Sequence, residues 1–131
     1  LNSIDVDGEI NEQKRIIIEA LTEFLASAKE DENKDRIKSA ITMYFKVIVE
    51  CCDFLIHSQI LKVPYNHKER FELLERFFPE IYPKVSSLFK VYRKTYSMIV
   101  KKEDLEVIKG GCHQVLKEAK IEEHLPKNIK E

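Results

Sequence analysis

No apolar run in this chain is long enough to cross a bilayer. A spanning helix needs about 18 consecutive apolar residues, and the longest candidate is interrupted by Lys46, Glu50 and Asp53. Cysteine is scarce and odd in number, with Cys51 and Cys52 adjacent and Cys112 far off. That count at that spacing excludes a disulfide scaffold and reads as reduced thiols. Glycine occurs only at Gly8, Gly110 and Gly111. There is no Gly-rich phosphate loop, no G-x-S-x-G elbow and no H-E-x-x-H helix, so no catalytic motif stands out and no cofactor is implied. Alternating β-branched runs joined by hairpin turns, internal repeats and low-complexity tracts are missing too, which leaves an all-α reading.

The opening ten residues are acidic and polar, unlike the basic and apolar start of a signal peptide. A cytoplasmic protein with no membrane partner is the expectation. The net charge of −1 excludes a protein that coats nucleic acid by overall charge, but the distribution is uneven. The first third of the chain is acidic, whereas Ile81 to Lys102 carries Lys84, Lys90, Arg93, Lys94, Lys101 and Lys102 and no acid. An anionic partner would be drawn to that stretch; the bland alternative, with equal claim, is a solvated face.

What is present is helical periodicity. At 131 residues and 44% hydrophobic content, the chain is long enough to bury a core as one domain without disulfides or metal. Residues 1–10 read as a flexible N-terminus, residues 11–124 as the domain and residues 125–131 as a frayed C-terminus. The first helix spans Asn11 to Glu30, with Ile17, Ala20, Leu21, Phe24, Leu25 and Ala28 on its inner face. A charged turn follows, in which Asp35 is a candidate N-cap for the central helix.

That central helix, Arg36 to about Lys62, organises the rest. Its apolar arc covers roughly 240° of its circumference, against about 100° for an ordinary surface helix. Only Ser39, Lys46, Glu50, Asp53 and His57 form a narrow polar seam. A helix of this kind is central, or shared with a second subunit. Pro64 stops it. Asn66 opens a capping box with Glu69, starting a short third helix whose inward stripe is Phe71, Leu74 and Phe77 and which Pro79 ends. A fourth helix, Pro83 to Val100, sets Val85, Leu88, Phe89, Tyr92, Tyr96 and Ile99 on one side, with Lys90, Lys94, Ser97 and Lys101 on the other and Arg93 at the border. A fifth helix, about Lys102 to Lys120, keeps its apolar phase through Gly110 and Gly111, placing the pair outward. The sum is an up-and-down antiparallel helical bundle of about five helices.

Cys51 and Cys52 fall within the apolar arc and His57 on the opposite seam, so they do not converge on one metal ion. The three cysteines read as small core residues. His67 is the most exposed-looking histidine, with Arg70 one turn on. The pair reads either as a helix-start residue beside a solvated arginine or as part of a site. His113 and His124 lie on polar faces without partners at useful spacing.

Three stretches in this order carry a resemblance: Y-F-K-V-I-V-E-C-C-D-F-L-I from Tyr44, P-Y-N-H-K-E-R-F from Pro64, and L-F-K-V-Y-R-K-T-Y-S from Leu88. Over roughly Asp35 to Glu118 the chain resembles the HEPN domain, especially its stand-alone prokaryotic members. The resemblance implies a HEPN-like bundle that forms a homodimer. It also implies a nucleotide, RNA or protein partner, among them a small nucleotidyltransferase, in a toxin–antitoxin or defence setting. Active members carry an arginine, four to six further residues and then a histidine. Arg93 stands at the arginine position, but Met98, Ile99 and Val100 stand where the histidine belongs. None of the four histidines completes the motif elsewhere. A family-type ribonuclease needs both a base and a cation, and only the cation is present.

The leading expectation is therefore a non-catalytic dimeric module whose groove is bordered by Arg93, Tyr96, Lys46, His67 and Arg70, with Lys94 beside it. A structural or antitoxin-type protein-interaction module is the second reading. A divergent ribonuclease using Tyr96 or His67 is the third.

Overall fold

Apolar residues recurring at three and four positions produce five α-helices: α1 (Ser3–Asn33), α2 (Ile37–Ile60), α3 (His67–Phe77), α4 (Tyr82–Ser97) and α5 (Lys102–Glu118), then a 3-10 turn at Glu122–His124. This computed structural model describes residues 3–127, with side chains from residue 12 onward. No strand occurs among the described residues, and no helix there is long and apolar enough to cross a membrane. The all-α bundle read from periodicity is what the chain forms.

Helix α2 packs against each of the other four. Ala40, Ile41, Tyr44, Phe45, Val47, Ile48, Cys51, Cys52, Phe54 and Ile56 are buried along it, inside a single chain. Each large aliphatic side chain so buried contributes about 1.5–3 kcal/mol of transfer free energy. Ile17, Leu21, Leu25 and Ala28 of α1 cover one flank. Leu105, Ile108, Cys112, Val115 and Leu116 of α5 cover another, Val85 and Leu88 of α4 a third, and Leu74 fixes α3. The wide apolar arc is thus covered by the chain's own helices, and its breadth gives no argument for a second subunit.

Polar clasps tie the layers. The Tyr44 hydroxyl and Lys109 Nζ each donate 2.7 Å bonds to the two oxygens of Glu32, joining α2 and α5 to α1. Burial raises the Glu32 carboxyl, but these two donors outweigh it and hold the group below its usual range. At the α1–α2 corner, the Asp31 carboxylate accepts from Ser39 Oγ at 2.6 Å and from Arg36 Nε at 2.8 Å.

Several local expectations are corrected. Helix α1 begins at Ser3, not Asn11, because one interior glycine, Gly8, costs only about 1 kcal/mol relative to alanine and does not halt a helix that tertiary packing holds further on. Asp35 is not the cap of α2, whose preceding residue Arg36 makes no side-chain cap bond. Instead Asp35 has a φ of 56° and closes α1, with Arg36 N–H bonded to Asp31 O and Asp35 N–H to Glu32 O, the Schellman pattern. Helix α4 ends at Ser97, so the stripe expected to run on to Ile99 leaves the bundle: Tyr96 is 71% and Ile99 88% exposed. The expected frayed tail is held at Leu125, which is buried; residues 1–2 and 128–131 of the expected flexible ends lie outside the described residues.

The glycine pair divides. Gly110 faces open space as expected, but Gly111 is buried against α4, where an added Cβ would stand 2.5 Å from both terminal carbons of Leu88. The buried Leu88 side chain fills the space a Cβ at residue 111 would occupy and would have to shift to admit one. Gly111→Ala is therefore expected to destabilise by about 1–3 kcal/mol through overpacking, whereas Gly110→Ala stabilises by up to about 1 kcal/mol through helix propensity. Urea unfolding midpoints of the two variants measure the opposite signs directly.

Candidate functional site

The polar seam of α2 leads to the site. Four helices leave a cleft of about 180 Å³ over it, lined by Phe24 of α1, by Phe45, Lys46, Val49 and Glu50 of α2, by His67 of α3 and by Tyr92 of α4. Of the residues expected at the groove, the structure brings Lys46 and His67 together here and sets Arg70 directly behind His67. Tyr96 sits at the edge, its hydroxyl 2.6 Å from that of Tyr92.

The cleft is shaped by a buried ion pair. Arg70 reads in sequence as solvated, but both it and Asp53 are buried. Arg70 Nε donates to Asp53 Oδ1 at 2.6 Å and Nη2 to Oδ2 at 3.1 Å, a bidentate fork between α3 and α2. Burial pushes the Asp53 carboxyl up, while the Arg70 bonds and charge oppose that shift. The third arm of the guanidinium, Nη1, lies 3.0 Å from His67 Nδ1. Arginine can only donate, so Nδ1 accepts and the ring's proton sits on Nε2. Burial and the Arg70 charge hold the His67 pKa below its ordinary value. His67 is then a neutral donor whose basic nitrogen is already taken.

Rings form the rest of the wall. Tyr92 stacks on Phe45 with centroids 4.5 Å apart and planes 9° from parallel. His67 and Phe89 approach Phe45 at 6.1 and 5.6 Å. Lys46 Nζ lies 5.4 Å from the centre of the Phe24 ring, a cation–π contact. Glu50 is partly buried and makes no hydrogen bond or ion pair among the described residues. Burial, and then the Asp53 charge, raise its pKa to about 7.

Helix α4 is less cationic in effect than its sequence. Lys94 is bonded to Asp104 at 2.9 Å, Lys84 to Glu118, and Lys102 lies 3.8 Å from Asp35. Arg93 is exposed and enters no ion pair among the described residues. The stretch chosen for its charge is thus half neutralised by acids on α5 and at the α1–α2 corner, which sequence neighbours do not disclose.

Other chemical candidates close off. Cys51, Cys52 and Cys112 are all buried, and burial drives the thiols of Cys52 and Cys112 to about 12, so they are not nucleophiles at neutral pH. His57 is not on a solvated seam but is buried, its Nδ1 without a hydrogen-bond partner, and burial lowers its pKa. No cluster of three or more His, Cys, Asp or Glu among the described residues is arranged to hold a metal ion. A larger basin of about 330 Å³ between α1 and the C-terminal turn is lined by Lys14, Arg15, Ile18, Glu19, Phe54 and His124, but Arg15 there is engaged with Glu12 and Glu19 at the surface.

Arg70→Leu should destabilise by about 3–5 kcal/mol, because it strands the Asp53 charge, whereas the double variant Asp53→Leu, Arg70→Leu should lie near wild-type stability. Chemical denaturation of wild type, Asp53→Leu, Arg70→Leu and the double variant completes the cycle.

Comparison with protein-family models, with curated proteins and with solved structures gives no match for the chain.

Proposed function

We propose that the protein is a non-catalytic, HEPN-like binding module that takes a nucleotide, free or within RNA, with the base in the cleft between α1, α2, α3 and α4. The observation that carries this reading is the cleft itself: the partly exposed rings of Phe24 and Tyr92, with buried Phe45 beneath, beside the Lys46 ammonium and the Glu50 carboxylate, which has no bond among the described residues. Aromatic faces hold bases through stacking, and a lysine at the mouth attracts phosphate. At about 180 Å³ the cleft is smaller than the roughly 300–1,000 Å³ of a site enclosing a whole drug-sized ligand. It admits one flat group and leaves sugar and phosphate outside, within reach of the exposed Lys46; Arg93, exposed on α4, is the further cation this reading assigns to phosphate.

The non-catalytic part follows from occupancy of the reactive groups. His67 Nδ1 is taken by Arg70, Arg70 is taken by Asp53, and the Tyr96 phenol is bonded to Tyr92. The groups proposed for metal-free RNA cleavage, His67 and Tyr96, are thus engaged by protein partners, while Glu50 beside Lys46 is assigned to binding in this reading. Homodimerisation belongs to this reading through the resemblance; exposed Tyr96, Met98 and Ile99 at the end of α4 offer an apolar surface for a second copy.

A protein-interaction module is the second reading, favoured by the same exposed side chains and by the neutralised lysines of α4. Co-purification of a stoichiometric protein without nucleic acid would support it.

Fluorescence anisotropy with short single-stranded RNA and with mononucleotides tests the proposal. Lys46→Ala and Arg93→Ala should each weaken RNA binding and lower the slope of log K against log salt by about 0.7 for each phosphate that is no longer neutralised. Lys94→Ala should do less, since that ammonium already bonds Asp104. The RNA should remain uncleaved throughout. Absence of binding to RNA and to every nucleotide would overturn the proposal.

A further inference from the structure

We infer that the cleft selects guanine among the bases, reading its donor edge with the Glu50 carboxylate. The inference rests on the proposed nucleotide-binding role and concerns which base the module accepts.

Glu50 needs donors that the protein does not supply. It is partly buried and makes no bond among the described residues, while the cations whose charges act on it are Arg70 and Lys46. Arg70 is committed to Asp53, and Lys46 lies over the Phe24 ring. An occupant that closes the cleft over this partly buried carboxylate displaces the water that solvates it, and the cost of that desolvation is offset only if the occupant brings N–H groups. A cationic occupant such as an amine is opposed by the Lys46 ammonium, the Arg70 charge being balanced by Asp53. A neutral group with two adjacent donors matches better.

Among the bases, guanine alone presents such an edge, with N1–H beside the N2 amino group, one for each carboxylate oxygen. Adenine and cytosine place a single amino donor next to an acceptor nitrogen. Uracil flanks its one N–H with two carbonyl oxygens, which a carboxylate repels. Lys46 and the Nε2–H of His67 line the same cleft and are donors suited to the O6 carbonyl or the phosphate. The partly exposed rings of Phe24 and Tyr92 supply the apolar surface.

A pH dependence follows. The titratable and charged groups around Glu50 are Lys46 and Asp53 on α2, His67 and Arg70 on α3 and Tyr92 on α4; α1 contributes the Phe24 ring. Burial and the Arg70 charge hold the His67 pKa below its ordinary value, and Tyr92 is pushed up to about 12; Glu50, raised to about 7, is the group whose pKa lies at neutrality. Guanine binds the ionised form. With a free-state pKa of about 7, the competent fraction, and with it the apparent affinity, falls about tenfold between pH 8 and pH 6.

Isothermal titration of the full chain with GMP, IMP and AMP tests this. IMP lacks only the 2-amino group. GMP should bind at least about fivefold more tightly than IMP or AMP at pH 8, as a bidentate pair discriminates, and this preference should shrink at pH 6. Glu50→Gln should abolish the preference for GMP and its pH dependence, with AMP gaining if anything because the amide can donate to the adenine N1, and should leave thermal stability near wild type. Lys46→Ala should weaken all three nucleotides alike. Equal affinity for GMP and AMP, or a preference that survives Glu50→Gln, overturns the guanine assignment and leaves the nucleotide-binding role standing. Failure of all three nucleotides, and of RNA, removes the binding role itself.

Discussion

The Asp53–Arg70 fork is the interaction on which the candidate site depends. Helix α3 is short and buries few side chains, chiefly Leu74 and Arg70, so apolar contact alone fixes its position weakly. A bidentate pair of fixed geometry supplies what the apolar surface does not. Through the third arm of the guanidinium the same residue sets the tautomer and orientation of His67. Desolvating the two charges offsets much of their attraction. The pair serves more to hold α3 in register on α2 than to add net stability.

Around that pair the molecule separates two kinds of polar contact. Between α1, α2 and α5 the clasps at Glu32 and Asp31 are complete, each carboxylate oxygen having its own donor. These groups stay ionised and structural. Glu50, one turn from Asp53 on the same seam, has no such donor. Two acids on one helical face are thus set to opposite fates by whether a neighbouring helix brings a cation, and the open cleft lies over the one that was left.

That contrast also marks what could be read from sequence. The all-α bundle, the central place of α2, the core cysteines and the start of α3 at Asn66 were legible, because they follow from periodicity, burial preference and local capping. Lys46, Glu50, Asp53, His67 and Arg70 were each visible as polar positions. What periodicity could not say is that α3 folds back to lay Arg70 on Asp53, since their pairing spans 17 residues and no local rule encodes it. His57 was misread for the same reason: a polar seam on one helix is solvated only if no other element covers it. Gly111 looked like its neighbour Gly110 until α4 was placed against it. The basic appearance of α4 was discounted only once acids from α5 and the α1–α2 corner were in view.

The helix ends hold a further consequence. Asp35, Leu61 and Lys120 all take φ near 57°, and no glycine does. For an L-residue that conformation costs roughly 1–2 kcal/mol, and it is held by Schellman bonds at Asp35 and Lys120 and by the single αL-motif bond at Leu61, whose N–H donates to His57 O at 2.9 Å. Leu61 begins the connection from α2 to α3, where Pro64 is buried and the Arg70 fork follows. A segment with no glycine to swivel on, anchored at both ends, is a poor hinge. The α3 wall of the cleft, with Arg70 and His67, is therefore held in place by the fold itself rather than assembled around whatever enters.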